Sequence, residues 1–142
     1  MDSQIIKSAD TIAMFSRKLL NIRRNKPVRS SEMGVLILVQ RSDQPVTPIM
    51  ISRFFQIAKP SVTEMINSLT NKGYLLKYKS STDKRSYAVS LSKKGVQLLD
   101  RCSSEYFLTL QVLKKRMGHG EFDLMITLLE KANTILGEGE SE

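Results

Sequence analysis

Apolar residues recur at helical spacing over residues 4–24: Ile5, Ile6, Ala9, Ile12, Ala13, Phe15, Leu19, Leu20 and Ile22. The stripe predicts a helix with a broad apolar face. "RRNKPVRSS" interrupts it, and Pro27 disfavours helix at Lys26. Ser30 or Ser31 can cap a second helix at about 31–41, apolar nearly all round and so predicted to be buried. "RSDQPV" predicts a turn. Thr47–Pro48 reads as an N-cap followed by Pro at the first helical position, opening a short helix through Phe55. Pro60 predicts another helix start. Val62, Met65, Ile66 and Leu69 share one face of a helix over 60–72, and Gly73 ends it as a C-cap.

The period then changes from helical to alternating. Tyr87, Val89 and Leu91 alternate with Ala88, Ser90 and Ser92, which predicts a strand near 86–92 paired with another near 74–79. Ser80, Ser81, Thr82 and Asp83 form the turn between them. Ser92 or Lys93 starts a long helix with the stripe Leu99, Cys102, Tyr106, Leu110, Leu113 and Met117. "GHG" at 118–120 predicts a break. A last helix carries Phe122, Met125, Leu128, Leu129, Ala132, Ile135 and Leu136, and residues 137–142, "GEGESE", read as a disordered tail. The fold class is mainly α with a small β-hairpin. A short helix, a tight turn and a second helix followed by a hairpin make a winged helix-turn-helix, here over 31–95. It is flanked by helices at 4–24 and 96–136 within a single subunit, 1–142. Their apolar stripes exceed what a domain of about 65 residues in the middle can cover. They therefore predict a homodimer through both ends of the chain.

Charge changes this picture from a fold to a partner. The 142 residues carry a net charge of +8, with pI about 9.7, which points to nucleic acid or another anionic surface. Residues 59–94 hold eight basic residues against Glu64 and Asp83, a net +6, whereas 121–142 hold six acidic residues against Lys131, a net −5. The basic segment is threaded with Val62, Ile66, Leu69, Tyr74, Leu75, Val89 and Leu91, so its charge lies on a folded surface rather than a tail. No apolar run approaches the roughly 18 residues of a membrane span, and the start "MDSQIIKSAD" lacks a secretory pattern. With a single Cys there is no internal disulfide, and the expected location is the cytoplasm.

A helix over 60–72 fits the major groove of duplex DNA. Opposite its apolar face stand Pro60, Glu64, Asn67 and Asn71, flanked by Ser61, Thr63 and Ser68, with Lys59 just ahead. These short hydrogen-bonding groups can reach base edges or phosphates, and backbone N–H groups near Ser61 and Val62 can hold a phosphate. A polar outer face alone is ordinary for a surface helix. The basic hairpin beside it is what favours DNA. Lys79, Lys84 and Arg85 can approach phosphates, an Arg can enter a narrow minor groove, and Asp83 can pair with Arg85 to aim it.

Residues 61–95, "SVTEMINSLTNKGYLLKYKSSTDKRSYAVSLSKKG", resemble the core of the MarR family of bacterial winged-helix regulators. Ser61, Val62 and Thr63 open the matching helix, and Leu69 with Lys72–Gly73 closes it. The wing matches as Asp83-x-Arg85-Ser86, then Val89-x-Leu91-Ser92 and Gly95. The likeness extends more loosely to "SSEMGVLILV" and the two C-terminal helices. It implies a homodimer on a palindromic operator, with residues 60–72 in the major groove and Arg85 in the minor groove. It also implies a repressor that releases DNA when a small aromatic or phenolic effector binds between lobe and dimer region. The sequence departs from the family pattern at Glu64, where Arg is common. A carboxylate can accept from cytosine N4 but repels phosphate.

Other chemistry is not supported. Cys102 lies on an apolar stripe and reads as a buried thiol, and His119 stands between two glycines, so no metal ligand set is expected. Met33, Met50, Met65, Met117 and Met125 read as core filler. No nucleophile–base pair or glycine-rich phosphate loop is present, so neither an enzyme nor a cofactor is expected. The rival to an operator-binding protein is a winged-helix module that binds protein or RNA.

Overall fold

The computed structural model describes residues 1–21, 27–79 and 86–139. The order is α1 (Ser3–Asn21), α2 (Ser30–Arg41), α3 (Pro48–Phe55), α4 (Lys59–Asn71), β1 (Leu75–Lys79), β2 (Tyr87–Leu91), α5 (Lys93–Met117) and α6 (His119–Gly139). β1 and β2 pair antiparallel, with Leu75 opposite Leu91, Lys77 opposite Val89 and Lys79 opposite Tyr87. Val46, in the loop before α3, adds an isolated bridge to Val89, whose N–H donates to the Val46 carbonyl at 2.8 Å. The expected turn at 41–46 thus also lends the hairpin a third backbone partner.

One core holds the lobe together. Val35, Leu36, Val46, Ile51, Val62, Ile66, Leu69, Leu75, Val89, Leu98 and Leu99 are fully or almost fully buried, and Tyr87, Leu91 and Cys102 pack against them. Tyr87, Val89 and Leu91 therefore anchor the second strand on the lobe, as their alternation predicts. Leu98 and Leu99 correct the expected boundary at 95/96. The first turns of α5 belong to the lobe core rather than to a dimer surface. Gly95 is the reason, because a side chain there would collide with the Tyr74 carbonyl, and its absence lets α5 lie directly on the chain leaving α4.

Local chemistry fixes the element ends. Thr47 accepts from the Met50 N–H and Pro48 sits in the first turn of α3. Gln56 closes α3 in the left-handed region at φ 55°, and the Ser52 hydroxyl donates to the Ile57 carbonyl at 2.7 Å, tightening the turn into α4. α4 starts at Lys59, one residue before the predicted position, with Pro60 still inside the first turn where its missing N–H costs nothing. Gly73, at φ 86°, ends it. Its N–H reaches the Thr70 carbonyl, and the Tyr74 N–H reaches Leu69, the paired bonds of a Schellman motif.

Three expectations are corrected. The N-cap of α2 is Arg29 rather than Ser30 or Ser31, because the Glu32 carboxylate reaches back to accept from the Arg29 N–H at 2.9 Å. The break at 118–120 narrows to Gly118, at φ 90°, and the helix resumes at His119. Residues 137–139 are helical, not tail. Gly137 packs so closely on the Gln56 side-chain oxygen that a methyl group would crowd it, so a helix-weakening residue is kept for contact with the lobe. Residues 140–142 lie outside the described residues.

α1 stands apart from this core. Among its described side chains only Phe15 and Leu19 reach half burial, and Ile12 is 65% exposed. α6 likewise exposes Leu124, Leu128, Leu129, Ile135 and Leu136.

Candidate nucleic-acid interface

α4 turns Val62, Ile66 and Leu69 into the core. Lys59, Pro60, Ser61, Thr63, Glu64, Asn67 and Asn71 are thereby left exposed on its other side, as its period predicts. The Thr63 hydroxyl donates back to the Lys59 carbonyl at 3.1 Å, which leaves its oxygen lone pairs facing outward. The Val62 N–H, expected to be free for a phosphate, bonds the Ala58 carbonyl at 3.2 Å within the helix.

Ser68 departs from the expected surface. It is half buried beside Glu32, a carboxylate only 2% exposed. Glu32 Oε1 accepts from Lys72 Nζ at 3.2 Å and from the Arg29 N–H. Its Oε2 has no donor at hydrogen-bond distance. Burial pushes the carboxyl pKa up, but Ser68, the Arg29 N–H and Lys72 outweigh it, and the net shift is downward. A buried anion therefore ties the start of α2 to the end of α4. Ser92 and Lys94 hold the same end from the other side. The Ser92 hydroxyl donates to the Gly73 carbonyl, and Lys94 Nζ donates to the Lys72 carbonyl at 2.8 Å. Both satisfy carbonyls that a helix C-terminus leaves orphaned.

The hairpin lies beside this helix. Lys77 Nζ donates to Asn67 Oδ1 at 2.6 Å and sits 5.0 Å from the centre of the Tyr87 ring. Burial raises the Tyr87 pKa, so it stays a neutral phenol. Lys79 is exposed at the far end of β1. Asp83, Lys84 and Arg85 lie outside the described residues. Lys77 and Glu32 were not among the expected site residues. Lys77 could have been found from strand parity, since it shares the Leu75 and Val89 side of the hairpin. Glu32 looks like any acidic residue in a helix's first turn.

A cleft of about 430 Å³ opens between α3, α4 and β2, lined by Thr47, Pro48, Ile49, Lys59, Val62, Thr63, Ser86 and Tyr87. Another, of about 390 Å³, lies between the end of α3 and α6, at Phe54, Phe55, Gln56, Asn133, Leu136 and Gly137. Among the described residues no three His, Cys, Asp or Glu side chains gather to hold a metal. No described helix is long and apolar enough to cross a membrane.

An exposed polar helix face with a basic hairpin beside it, both on one core, defines a winged helix-turn-helix. Comparison with known proteins agrees. Residues 35–82 match the family model "Iron dependent repressor, N-terminal DNA binding domain". No curated protein matches the chain by sequence. Among solved structures, the S. aureus MepR–DNA complex superposes with a TM-score of 0.81 at 19% identity, over 89% of this chain and 96% of that one. A mutant MarR from E. coli complexed with operator DNA gives 0.77 at 21% identity, covering 93% and 99%. A MarR/EmrR family transcriptional regulator from Acinetobacter sp. ADP1 gives 0.77 at 20%, covering 97% and 99%. The chain therefore has the MarR-type winged-helix fold from end to end, with helices at both termini.

Proposed function

We propose that this chain is a sequence-specific, double-stranded DNA-binding transcriptional regulator of the MarR type. It works in the cytoplasm as a homodimer on a palindromic operator, as a ligand-responsive repressor. The observation that carries the reading is the outer face of α4. Lys59, Pro60, Ser61, Thr63, Glu64 and Asn67 are exposed together beside Lys77 and Lys79 of β1, so hydrogen-bonding groups sit within a field of ammonium charge. The MepR and MarR structures solved with DNA share this fold and support the same use here.

In this reading α4 enters the major groove and the segment 80–85 reaches the adjacent minor groove through Arg85, with Asp83 aiming it and Lys84 and Lys79 on phosphates. Ser68, half buried at the edge of that face, borders the interface. Dimerisation is supported by the exposed apolar residues of α1 and α6. Most helical stability in proteins comes from packing of the apolar face, and α1 has almost no such cover from its own chain. Two copies would set two α4 helices on successive major grooves and so select a palindrome.

The effector is a small aromatic or phenolic molecule. Its expected place is between lobe and dimer region; the cleft that suits it lies instead within the lobe, between α3, α4 and β2, with apolar walls, one ammonium at Lys59 and hydroxyls at Thr47, Thr63, Ser86 and Tyr87. Lys59 and Thr63 belong to both cleft and interface, so an occupant would compete with DNA directly. Selection of bound duplexes from a random pool tests the reading. A palindrome is expected; no preference among duplexes, with tight capture of RNA instead, would sink it. Thermal shift and DNA release with benzoate and simple phenols test the effector.

A further inference from the structure

We propose that Lys77 is a positioning residue for operator choice: it holds the Asn67 side-chain amide so that Asn67 reads bases as a hydrogen-bond donor. This rests on the reading of α4 as the helix that enters the major groove.

An asparagine amide is two-faced, with a carbonyl oxygen that accepts and an NH2 that donates. Free at a surface, it can present either, and so pair with acceptor edges or donor edges of bases. At Asn67 the choice is made by a neighbour. A lysine ammonium only donates, so the amide atom 2.6 Å from Lys77 Nζ is the oxygen, Oδ1. Nδ2 is then the group turned away from the hairpin. Lys77 is itself fixed from two sides. Its stem rises from β1 opposite Val89, a register set by the hairpin. Its ammonium also lies over the ring of Tyr87, 5.0 Å from the centroid, and that ring is anchored against the core. The strut thus runs from core to Tyr87 to Lys77 to Asn67, and it ends in the middle of the exposed face of α4. Guanine N7 and O6, adenine N7 and thymine O4 accept in the major groove, whereas cytosine N4 and adenine N6 donate. A donor-fixed Asn67 selects the first set. The wing side of the fold therefore contributes to major-groove selectivity without touching a base.

The test is duplex selection with the full-length protein and four variants, each checked for native helicity. Wild type is expected to prefer guanine or thymine over cytosine by about tenfold at one position per half-site. Lys77→Met, which keeps the stem over Tyr87, should bring that position within about threefold while other positions keep their preference. Lys77→Arg, still a donor, should restore it. Asn67→Asp keeps the partner of Lys77 but loses the NH2, so the preference should vanish or turn towards cytosine. Asn67→Ala should match Lys77→Met at that position. If Lys77→Met keeps the tenfold preference, the proposal is wrong. It is equally wrong if that variant weakens all duplexes alike and lowers the salt slope by about one per half-site, which marks a plain phosphate contact. A wild type that selects no palindrome overturns the DNA-regulator reading itself, and is told apart by appearing before any variant is compared.

Discussion

Glu32 shows how one buried charge can set the angle of a reading helix. Its carboxylate is held at the N-terminal turn of α2 by the Arg29 N–H and at the end of α4 by Lys72. Its folded pKa lies below its ordinary value of 4.5. A depressed carboxyl pKa means that the unfolded chain binds the proton more readily. The stabilisation is therefore present in full above about pH 4.5 and is lost as pH falls through the folded value. Glu32→Gln should cost about 1–3 kcal/mol at pH 6. The gap from wild type should close on acidification towards pH 3, measured by urea unfolding. A gap that stays constant with pH would mean that packing, not charge, does the work. Gly95 gives a second test of a single position. In an open helix Gly→Ala gains up to about 1 kcal/mol. At Gly95 the methyl meets the Tyr74 carbonyl, so Gly95→Ala should destabilise by about 1–3 kcal/mol, whereas Gly120→Ala, with open space around it, should be neutral or stabilising. Neither mechanism could be read from residue type. Gly95 is recognisable as a motif position, but the carbonyl it must clear belongs to a residue 21 positions earlier. Glu32 meets its ammonium 40 positions away.

At the scale of elements, periodicity carried the reading well because this fold is built from local signals. Thr47–Pro48, Gly73 and Ser92 each mark an end that the structure keeps, and α4 buries three of the four residues that its period selects, with Met65 half buried. The misses have a common cause. Arg29 displaces the serines as cap because Glu32 reaches back to its N–H, and Gly137 stays helical because it packs on Gln56. In both, a neighbour's geometry overrides propensity. Ser68, expected on the flank of the exposed face, is half buried because it sits at the edge between the two faces. The wing supplies the prediction at this scale. Arg85→Ala should lose about 1–3 kcal/mol of operator binding per half-site and relax A·T preference beneath the wing. Asp83→Ala should cost less, because Arg85 keeps its charge. Lys84→Ala should weaken all duplexes alike. Fluorescence anisotropy with matched operator variants measures all three, with circular dichroism as the check on folding. An Arg85→Ala protein that bound like wild type would leave specificity to α4 and its Lys77 strut.

The whole molecule divides its labour by charge and by apolar surface. The segment with net +6 builds the lobe and its exposed interface, while the segment with net −5 builds α6, so the protein's own field orients an approaching polyanion towards the lobe. Uncovered apolar residues are also dense at the two ends of the chain, where Ile5, Ile6, Ile12 and Met14 of α1 resemble Leu124, Leu128, Leu129, Ile135 and Leu136 of α6 in kind. A second copy covering them would join two basic lobes into one particle and so double the phosphates it could neutralise. Two measurements then move together. Sedimentation at micromolar concentration should show a species of twice 16.1 kDa, and deletion of residues 1–21 should yield misfolded chain rather than soluble monomer. For DNA, a dimer neutralising about six phosphates gives a slope of log K against log salt near −5, whereas a single lobe touching half as many gives about −3. A polar substitution pair in the apolar seam, Ile12→Glu with Leu128→Glu, should therefore halve the slope as well as the mass if it leaves the lobe folded. A steep slope surviving in a proven monomer would separate DNA binding from dimerisation and remove the palindrome from the proposed function.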